Sequence, residues 1–475
     1  LEAELESENS ISHLHIVFSA QDSKKLKKYF DYDKSFKNFL IIDQEFLLSL
    51  CSSKKKDVPL RQALHASVSN LANSSPFVSQ GYCHQANNIY VGRKDTLQQL
   101  LTNPQAMIWG GRRIGKTSVL HALKNSLLNR KYKVAYVYVD IHDDKDPDLA
   151  IAKKIAQTLE LGDIKTIASF EKKVNTLRKS GHKLAFLIDE VDEYIKKSRK
   201  VHGLEFPLAT VLRQLVMDDS DKQTYLVYSG YHQLYYEAKL DKEKKRVGHP
   251  FINITQQIPI RDLTYDDIAE LLRTGFEDML GLQLHPSVPR LIAKRASRHP
   301  AFVQQFCRCL LEHVSKRRSP GSVVTITKAD VDEVYNTNIN QSGGEQAFIN
   351  YFNDTLGYNL SHLGHAILLA FTDPELYKTD SIDPFIDKQE ILSLLNQWCE
   401  LIQIQQLDLK HFEQTIELLQ MTNMLTEDQK IHGRYRATYP THLDILKRLD
   451  KINKTAIEDS LKAYDDIERE KGILL

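Results

Sequence analysis

The chain has 475 residues and a net charge of +1 at neutral pH, with 42% hydrophobic and 26% charged residues. This length exceeds one ordinary hydrophobic core and predicts about three domains. The near-zero net charge argues against electrostatic binding of nucleic acid by the whole chain, although local basic runs remain candidates. No apolar stretch approaches the length of a membrane span, and the amino terminus lacks the apolar core of a signal peptide.

The five cysteines do not have the spacing of a disulfide framework or of a zinc site. Cys307 and Cys309 are two residues apart in a helical pattern, so they point to different faces. Buried free thiols in a reducing, cytoplasmic compartment are therefore predicted. The chain begins at Leu1 rather than methionine, which is typical of a fragment or a processed protein.

Residues 1–58 are predicted to form a small α/β segment. The order strand, helix, strand, helix is indicated by "HLHIVFSA", "DSKKLKKYF", "NFLIIDQ" and "EFLLSLC". The pattern weakly resembles the second half of a restriction-endonuclease-like domain, whose catalytic residues would lie upstream. A small recognition or docking unit is the favoured interpretation. Residues 59–88 are rich in serine and asparagine and predict a linker.

Residues 89–262 alternate between strand and helix patterns. Five strands are predicted at "AMIWG", "KVAYVYVDI", "KLAFLID", "TYLVYSG" and "FINITQQIPI". The helical segments between them imply a parallel sheet with helices on both faces. Ligands of such sheets bind at the carboxyl ends of the strands, so we expect the site there.

The first of these strands leads into "GGRRIGKTS", which fits the P-loop pattern G-x-x-x-x-G-K-[ST]. Glycines let successive backbone N–H groups turn towards phosphate oxygens, and the amino terminus of the following helix favours the same anion. In such a loop Lys116 reaches the β- and γ-phosphates and Thr117 ligates Mg²⁺. A glycine turn without a ligand is the alternative. The predicted nucleotide-binding residues are Gly110, Gly111, Arg112, Arg113, Ile114, Gly115, Lys116, Thr117 and Ser118.

A second half of the site is predicted where the apolar run of "KLAFLIDEVDEY" ends in Asp189 and Glu190. We expect Asp189 to hold the Mg²⁺ shell, and Glu190 to orient or deprotonate an attacking water. The predicted catalytic residues are thus Glu190 and Lys116, and the predicted metal ligands are Thr117 and Asp189. The alternative is that Asp189, Glu190, Asp192 and Glu193 only cap the next helix.

Beyond Arg261 we expect the strands to stop. Residues 263–335 read as a helical lid. Residues 336–475 read as an α-rich unit that ends in a β-ribbon at "GRYRATYP", which suggests a winged helix. The glycines in "NINQSGGEQ" are expected to allow movement between these two units.

Taken together, "NIYVGRKDTLQQLL", "GGRRIGKTSVL", "FLIDEVDEY", "YLVYSGYHQLYYE" and "RHPAFVQQFC" resemble STAND-type P-loop ATPases of prokaryotes, relatives of AAA+ and origin-recognition ATPases. The resemblance covers roughly residues 76–335, and its most distinctive part is the doubled arginine of the P-loop. It implies a role in defence or signalling. It also implies that Val91, Gly92 and Arg93 lie beside the nucleotide base, and that His299 and Pro300 form the lid motif in which proline packs on adenine.

The chain departs from this family at two places. Arg298 stands where the lid motif has glycine, and Ser229 and Tyr231 stand where an arginine would sense the γ-phosphate. Nucleotide binding is therefore better supported than rapid hydrolysis. Arg246, Arg261 or a finger from a neighbouring subunit could replace the sensor, and the sequence does not choose between them.

Four short basic runs are candidate phosphate contacts for nucleic acid, and the run after the Asp-Glu pair is the most interesting because loops there face nucleic acid in related ATPases. A solvated helix face is the favoured alternative. The recognition helix expected at "KHFEQTIELLQMTNML" has few basic residues, which favours protein docking. The four runs are Lys24–Lys28, Lys196–Lys200, Lys242–Arg246 and Ser315–Ser319.

The leading hypothesis is a cytoplasmic regulatory switch that binds ATP and Mg²⁺ and hydrolyses ATP slowly. The alternatives are a DNA-binding initiator or loader ATPase, and a structural adaptor that keeps its P-loop for folding only. A homo-oligomer or a protein partner at the winged helix is expected, nucleic acid is a candidate partner, and no membrane is expected.

Overall fold

A computed structural model describes the chain in sixteen segments, and the account below concerns those residues. They are 15–18, 39–42, 47–48, 51, 75–78, 89–140, 146–203, 205–218, 224–231, 251, 256–296, 298–317, 324–339, 358–372, 385–438 and 456–473.

Near the amino terminus two short strands, β1 (His15–Phe18) and β2 (Phe39–Ile42), pair in parallel. Both strands were predicted, and a parallel pair needs a crossover connection. The helix expected between them lies outside the described residues. The endonuclease-like interpretation therefore stays a prediction.

The central sheet has five parallel strands in the order β4-β5-β6-β3-β7. The strand that enters the P-loop, β3, is separated from the strand that ends in Asp189, β5, by β6. The carboxyl ends of all five strands lie on one edge. The bounds are β3 (Gln105–Trp109), β4 (Lys133–Tyr138), β5 (Leu184–Asp189), β6 (Thr224–Gly230) and β7 (Gln256–Pro259).

Strands β5 and β6 are buried along their whole length. Along β5, Phe186 and Ile188 belong to one hydrophobic cluster, whereas Ala185 and Leu187 belong to another. Successive side chains of a strand point to opposite faces, so each cluster covers one face of the sheet. This confirms the predicted α/β class with helices on both faces.

Among the described residues, six helices surround the sheet, and local signals set several of their ends. Asp146 accepts a hydrogen bond from the Leu149 amide at the start of α3, and Thr166 forms a capping box with Ser169 at the start of α4. The bounds are α1 (Lys94–Thr102), α2 (Lys116–Asn129), α3 (Pro147–Thr158), α4 (Ile167–Lys179), α5 (Val191–His202) and α6 (Pro207–Met217).

The position of Leu128 differs from the one that the apolar pattern of α2 predicts. The pattern places Leu128 on the buried face with Leu123 and Leu127, but its side chain is 47% exposed while those two are buried. The reason is angular, because Leu128 follows Leu123 by five residues and so lies about 140° around the helix.

The lid is mostly helical, and two of its described helices are continued by π-helices, over Arg273–Met279 and Tyr335–Ile339. The expectation that strands stop after Arg261 is wrong for one short pair, because β8 (Gln283–Leu284) and β9 (Thr325–Ile326) pair in parallel. A two-residue pair is too short to give a periodic signal. The lid helices are α7 (Tyr265–Leu272), α8 (Val288–Arg295), α9 (Pro300–Arg317) and α10 (Lys328–Val334).

The C-terminal unit contains the expected β-ribbon, since β11 and β12 pair antiparallel, and β10 pairs with β12 on its other side. Its order is helix, short strand, two helices, ribbon and a final helix. The bounds are α11 (Tyr358–Ala370), β10 (Ile386–Asp387), α12 (Lys388–Leu401), α13 (Leu409–Met421), β11 (Leu425–Glu427), β12 (Arg434–Ala437) and α14 (Ala456–Ile473).

Buried apolar residues of the lid and of the C-terminal unit form one continuous cluster. Part of the expected linker joins it. The Phe77 ring lies 4.7 Å from that of Phe276, and the Val78 amide donates to Gln304 Oε1 at 3.1 Å. Residues 75–78 are thus docked on the lid. The expected hinge at Gly343 and Gly344 lies outside the described residues, and the domain boundaries stay predictions.

Within the segments described above, no helix combines the length and the hydropathy that a membrane crossing would require.

A candidate nucleotide site between P-loop and lid

The P-loop connects β3 to α2 at the carboxyl edge of the sheet. Gly115 has φ +102° and directly precedes the first residue of α2, so the turn into the helix uses a backbone conformation that side chains disfavour. Arg112 and Arg113 point into solvent, and Arg113 is also left-handed with φ 54°. Ile114 and Ser118 are buried beneath the loop. The loop thus presents its backbone inwards and two cationic side chains outwards.

Lys116 is buried, and its ammonium group donates to the carbonyl oxygens of Gly110 and Gly111 at 3.0 Å each. Burial lowers the pKa of Lys116, and the charges of Glu190, Asp192 and Asp189 oppose that shift. A buried cation held against the loop is an electrostatic anchor for an anion that enters the same loop.

Thr117 and Asp189 meet across the sheet edge. Thr117 Oγ1 donates to Asp189 Oδ2 at 2.8 Å, and the Tyr136 hydroxyl donates to the same oxygen at 3.1 Å. The other carboxylate oxygen, Oδ1, accepts the Glu190 amide at 3.0 Å. Mg²⁺ prefers oxygen ligands at about 2.1 Å in octahedral geometry, which places neighbouring ligand atoms about 2.9 Å apart. The hydroxyl and the carboxylate therefore fit a shared Mg²⁺ ion.

Glu190 lies at the junction between β5 and α5 with φ 56° and ψ 44°. Burial raises the pKa of Glu190; Lys116 opposes this shift, and Asp189 and Asp192 reinforce it. A strained backbone and a raised carboxyl pKa next to a phosphate loop are typical of a general base.

The capping alternative has little support from the contacts of these acids. The side chain of Glu190 makes no capping hydrogen bond to α5. Asp192 instead accepts the amide of Tyr231, at the end of β6. Asp189 accepts from Thr117 and Tyr136 as well as from the Glu190 amide, so Asp189 and Asp192 contact groups across the sheet edge, while Asp192 and Glu193 also lie in the first turn of α5.

Two tyrosines near the site were missed by sequence reasoning. Tyr136 contacts Asp189 as described, and Tyr138 lies directly opposite Asp189 in the register of β4 and β5. Burial raises the pKa of Tyr138, and Glu190 and then Asp189 add to the shift. The available signal was their alternate spacing at the carboxyl end of "KVAYVY", which puts both side chains on one face. The register that brings them to Asp189 is a tertiary property.

The expected base-side residues lie where the P-loop meets the lid. Arg93 is buried, and its Nη2 donates to the Ile114 carbonyl at 3.0 Å. Gly92 has φ +71°, and a Cβ there would lie 2.5 Å from Cγ of Asp267 in α7, so this position requires glycine. Val91 packs against the lid cluster. These three residues therefore join the core to the lid.

His299 approaches the same loop from the lid. It is fully buried, and its ring centre lies 4.6 Å from that of Phe302 at an angle of 41°. Burial is the main cause that lowers the pKa of His299 to about 3; the Arg112 backbone close to the ring opposes the shift, and the charges of Arg93, Arg113 and Lys116 contribute to it. A neutral imidazole thus connects the lid to the P-loop. Pro300, the next residue, begins α9.

Arg298 explains one departure from the family pattern. Its φ of 60° is left-handed, the conformation that glycine adopts without strain. Its carbonyl accepts the Leu263 amide at 3.0 Å, and its guanidinium lies 5.6 Å from the centre of the Tyr265 ring. A left-handed turn is therefore present here although the residue is not glycine.

Two residues stand where an arginine would sense the γ-phosphate, and two arginines elsewhere are candidates to replace it. Ser229 is buried in β6, and the Tyr231 ring lies 5.8 Å from the Lys116 ammonium. Arg261 is described and exposed, whereas Arg246 lies outside the described residues. A tyrosine therefore occupies the place next to the lysine.

The basic runs are only partly described. Lys196–Lys200 lies inside helix α5 rather than in a loop, and its Ser198 is buried. The favoured interpretation, a helix, is confirmed, and the alternative of a loop that faces nucleic acid is wrong at this run. Residues 315–317 end α9, and the other two runs lie outside the described segments.

Comparison with protein-family models found no match, and no curated protein matched either. Among solved structures, the chain is similar to a Walker-type ATPase of Pyrococcus abyssi, with 13% identity and a TM-score of 0.53 over 78% of this chain and 99% of that one. The chain has the fold of a P-loop ATPase. It is also similar to the ORC2 protein of Aeropyrum pernix, with 13% identity and a TM-score of 0.48 over 78% and 97% of the two chains.

Proposed function

We propose that the protein binds ATP with Mg²⁺ and hydrolyses it. The single observation that carries this proposal is the 2.8 Å contact between Thr117 Oγ1 and Asp189 Oδ2, which pairs the P-loop hydroxyl with the carboxylate at the end of β5, two strands away from β3 in the sheet. In the proposed complex Lys116 and the loop amides bind the phosphates. Thr117 and Asp189 hold the Mg²⁺, which neutralises phosphate charge when it is bound.

Glu190 is the proposed general base. Its carboxyl group is next to Asp189 in the chain and is electrostatically coupled to Lys116. A carboxylate with a raised pKa is a better proton acceptor for the attacking water. Hydrolysis is proposed to be slow, since Ser229 and Tyr231 stand where the resemblance places a sensor arginine.

The finer proposal is a STAND-type switch in which the nucleotide bridges the core and the lid. It is supported by the hydrogen bond of Arg93 to the Ile114 carbonyl and by the burial of His299 close to the Arg112 backbone. Both join lid-facing residues to the phosphate loop. The C-terminal unit, proposed to be a winged helix from the order of its elements, shares the lid's hydrophobic cluster. A change in the lid would therefore be transmitted to it.

Calorimetric titration with ATP and Mg²⁺ tests the proposal. Lys116→Ala removes the buried ammonium, and we expect the dissociation constant to rise by roughly a hundredfold or more, as expected for charge-assisted hydrogen bonds. The matched control is Lys179→Ala, which removes an exposed lysine at the end of α4. Equal affinity in both variants would reject the assignment. ATP turnover that depends on added DNA would instead support the initiator alternative.

A further inference from the structure

A second cluster of ligating side chains lies at the opposite end of α5 from Glu190. Asp146 and Asp148 stand at the start of α3, and His202 is the last residue of α5. Each residue offers one ligand atom, and these atoms all lie within 4.8 Å of one another. The proposed nucleotide site uses none of the three.

Asp148 is completely buried, and its carboxylate is held by three donors. Oδ1 accepts the Tyr194 hydroxyl at 2.6 Å and the Leu208 amide at 2.7 Å, and Oδ2 accepts the Ser198 hydroxyl at 2.6 Å. These bonds fix the orientation of the carboxylate and leave one lone pair of Oδ2 on the side of His202. Metal-binding carboxylates are commonly oriented by hydrogen bonds of this kind.

The spacing around His202 fits ligands that share one ion. Its Nε2 lies 3.5 Å from Asp146 Oδ1 and 3.7 Å from Asp148 Oδ2. Both separations exceed the roughly 2.7–3.2 Å of an ordinary N–H···O bond. Nitrogen and oxygen ligands of a tetrahedral zinc ion lie about 2.1 Å from the metal, and hence about 3.4 Å from each other.

Charge favours a divalent cation in this position. Two carboxylates and a neutral imidazole sum to −2, which one divalent ion balances, whereas a protonated histidine would leave −1. A buried carboxylate is costly unless a cation is paired with it. The imidazole favours a transition metal such as Zn²⁺ over Mg²⁺ or Ca²⁺, which prefer oxygen ligands.

Tyr228 supplies an independent indication of a ligand. Its hydroxyl is fully buried and has no hydrogen-bond partner among the described residues. Burial raises the pKa of Tyr228, and the Asp148 charge raises it further, so the hydroxyl lies within electrostatic reach of this carboxylate. A buried hydroxyl without a partner is costly. A water on the open position of a metal would satisfy it.

We propose that Asp146, Asp148 and His202 bind a divalent transition-metal ion of the zinc type, at a site separate from the nucleotide. The ion ties the end of α5 to the start of α3. Because Glu190 directly precedes the first residue of α5, this metal would stabilise the helix that follows the proposed general base.

Zinc titration of the full chain tests the proposal. The protein is freed of metal, its reactive thiols are alkylated, and excess Mg²⁺ is present so that the nucleotide site does not take up zinc. Calorimetry should show one Zn²⁺ per chain. The X-ray absorption spectrum of the bound zinc should show nitrogen and oxygen ligands without sulfur.

Two variants at partly exposed positions should weaken binding at least tenfold. His202→Ala removes the imidazole, and Asp146→Asn keeps an effective helix cap while removing the charge. His182→Ala, at an exposed histidine of the same core, should bind zinc like the parent. The absence of zinc binding, or unchanged affinity in the His202 and Asp146 variants, would overturn the proposal. Nucleotide binding by the parent does not enter this test, so the two proposals can fail separately.

Discussion

The phosphate end and the lid end of the candidate nucleotide site are built in different ways. At the phosphate end, Lys116 and Thr117 follow one strand and Asp189 and Glu190 follow another. At the lid end, Arg93 and His299 are 206 residues apart in the chain, yet both contact the P-loop backbone. The phosphate end is thus made from short motifs at strand ends, whereas the lid end exists only when two layers close on each other.

The phosphate end and the lid end also differ in the charges that they bring together. The phosphate end pairs Lys116 with a group of carboxylates, so positive and negative charges face each other. The lid end brings a neutral histidine against Arg93, Arg113 and Lys116. Adding a proton there would cost free energy, whereas an anion would be favoured by the same cations. The lid end is therefore the part that should respond to pH and to bound nucleotide.

The largest effect is expected at the phosphate end, from Glu190→Gln. The amide keeps the size of the side chain but cannot accept the proton of the attacking water, so turnover should fall by roughly a hundredfold or more while ATP still binds. Steady-state hydrolysis and calorimetry on the same preparation measure the two quantities. Glu193→Gln, an exposed acid of the same helix, is the control. Parent-like turnover of the Glu190 variant would assign the proton transfer to another group.

The second effect concerns pH and belongs to the lid end. Because the pKa of His299 is about 3 in the folded protein and about 6.5 when unfolded, the unfolded state binds more protons below pH 6.5. The contribution of His299 to the free energy of unfolding is therefore nearly complete above pH 6.5 and decreases as the pH falls. At pH 5 the loss from this residue is about 2 kcal/mol.

Denaturant unfolding of the parent and of His299→Gln at pH 7.5 and pH 5 measures this contribution. Glutamine does not titrate, so the variant should lose about 2 kcal/mol less than the parent between the two pH values. The comparison uses the difference between pH values, and a constant loss of stability in the variant does not affect it. Identical pH dependence in both proteins would mean that His299 is not buried as a neutral imidazole.

A smaller effect is expected from Tyr136→Phe. The hydroxyl donates to Asp189 Oδ2, so its loss should leave that carboxylate less well oriented for Mg²⁺. We expect the Mg²⁺ concentration for half-maximal ATP hydrolysis to rise about three- to tenfold, equivalent to about 1 kcal/mol. Tyr225→Phe is the matched control, since it removes a hydroxyl bonded to the Leu101 carbonyl away from the site. A similar change in both variants would indicate a general loss of stability.

The smallest effect is expected at Arg298, where the lid turn is left-handed. Replacement by glycine and by alanine both remove the contact with Tyr265, so the difference between the two variants isolates the backbone. The glycine variant should be the more stable by about 1 kcal/mol, because a Cβ is disfavoured at positive φ. Thermal unfolding measures the difference. Greater stability of the alanine variant would show that the turn is not left-handed in solution.

The difference between the phosphate end and the lid end also explains which parts of the site could be predicted from the sequence. The five strands and the positions of Lys116, Thr117, Asp189 and Glu190 follow from local patterns, because apolar runs and glycine spacing act over a few residues. The positions of Tyr136 and Tyr138 near Asp189 did not, since the register of β4 and β5 brings them there. The docking of residues 75–78 on the lid was also missed, because a polar composition does not show that Phe77 enters a distant core.

At the lid end the expectations came from a resemblance to a known family and did not include the geometry. His299 and Arg93 were expected beside the nucleotide base, a role that no contact of theirs tests. Their burial against the P-loop depends on the closure of α7 and α9 over the core. The cluster of Asp146, Asp148 and His202 was not foreseen, because an Asp-x-Asp pair and a histidine 54 residues later have no recognisable spacing.

Hydrogen exchange with and without ATP and Mg²⁺ tests most directly the claim that a nucleotide connects the two ends. The account predicts slower exchange in α2, which begins at Lys116, and also in the first turns of α9, which begins at Pro300. Lys116→Ala should remove both effects. Protection of α2 with unchanged exchange in α9 would contradict the account, since nucleotide would then occupy the phosphate loop without engaging the lid.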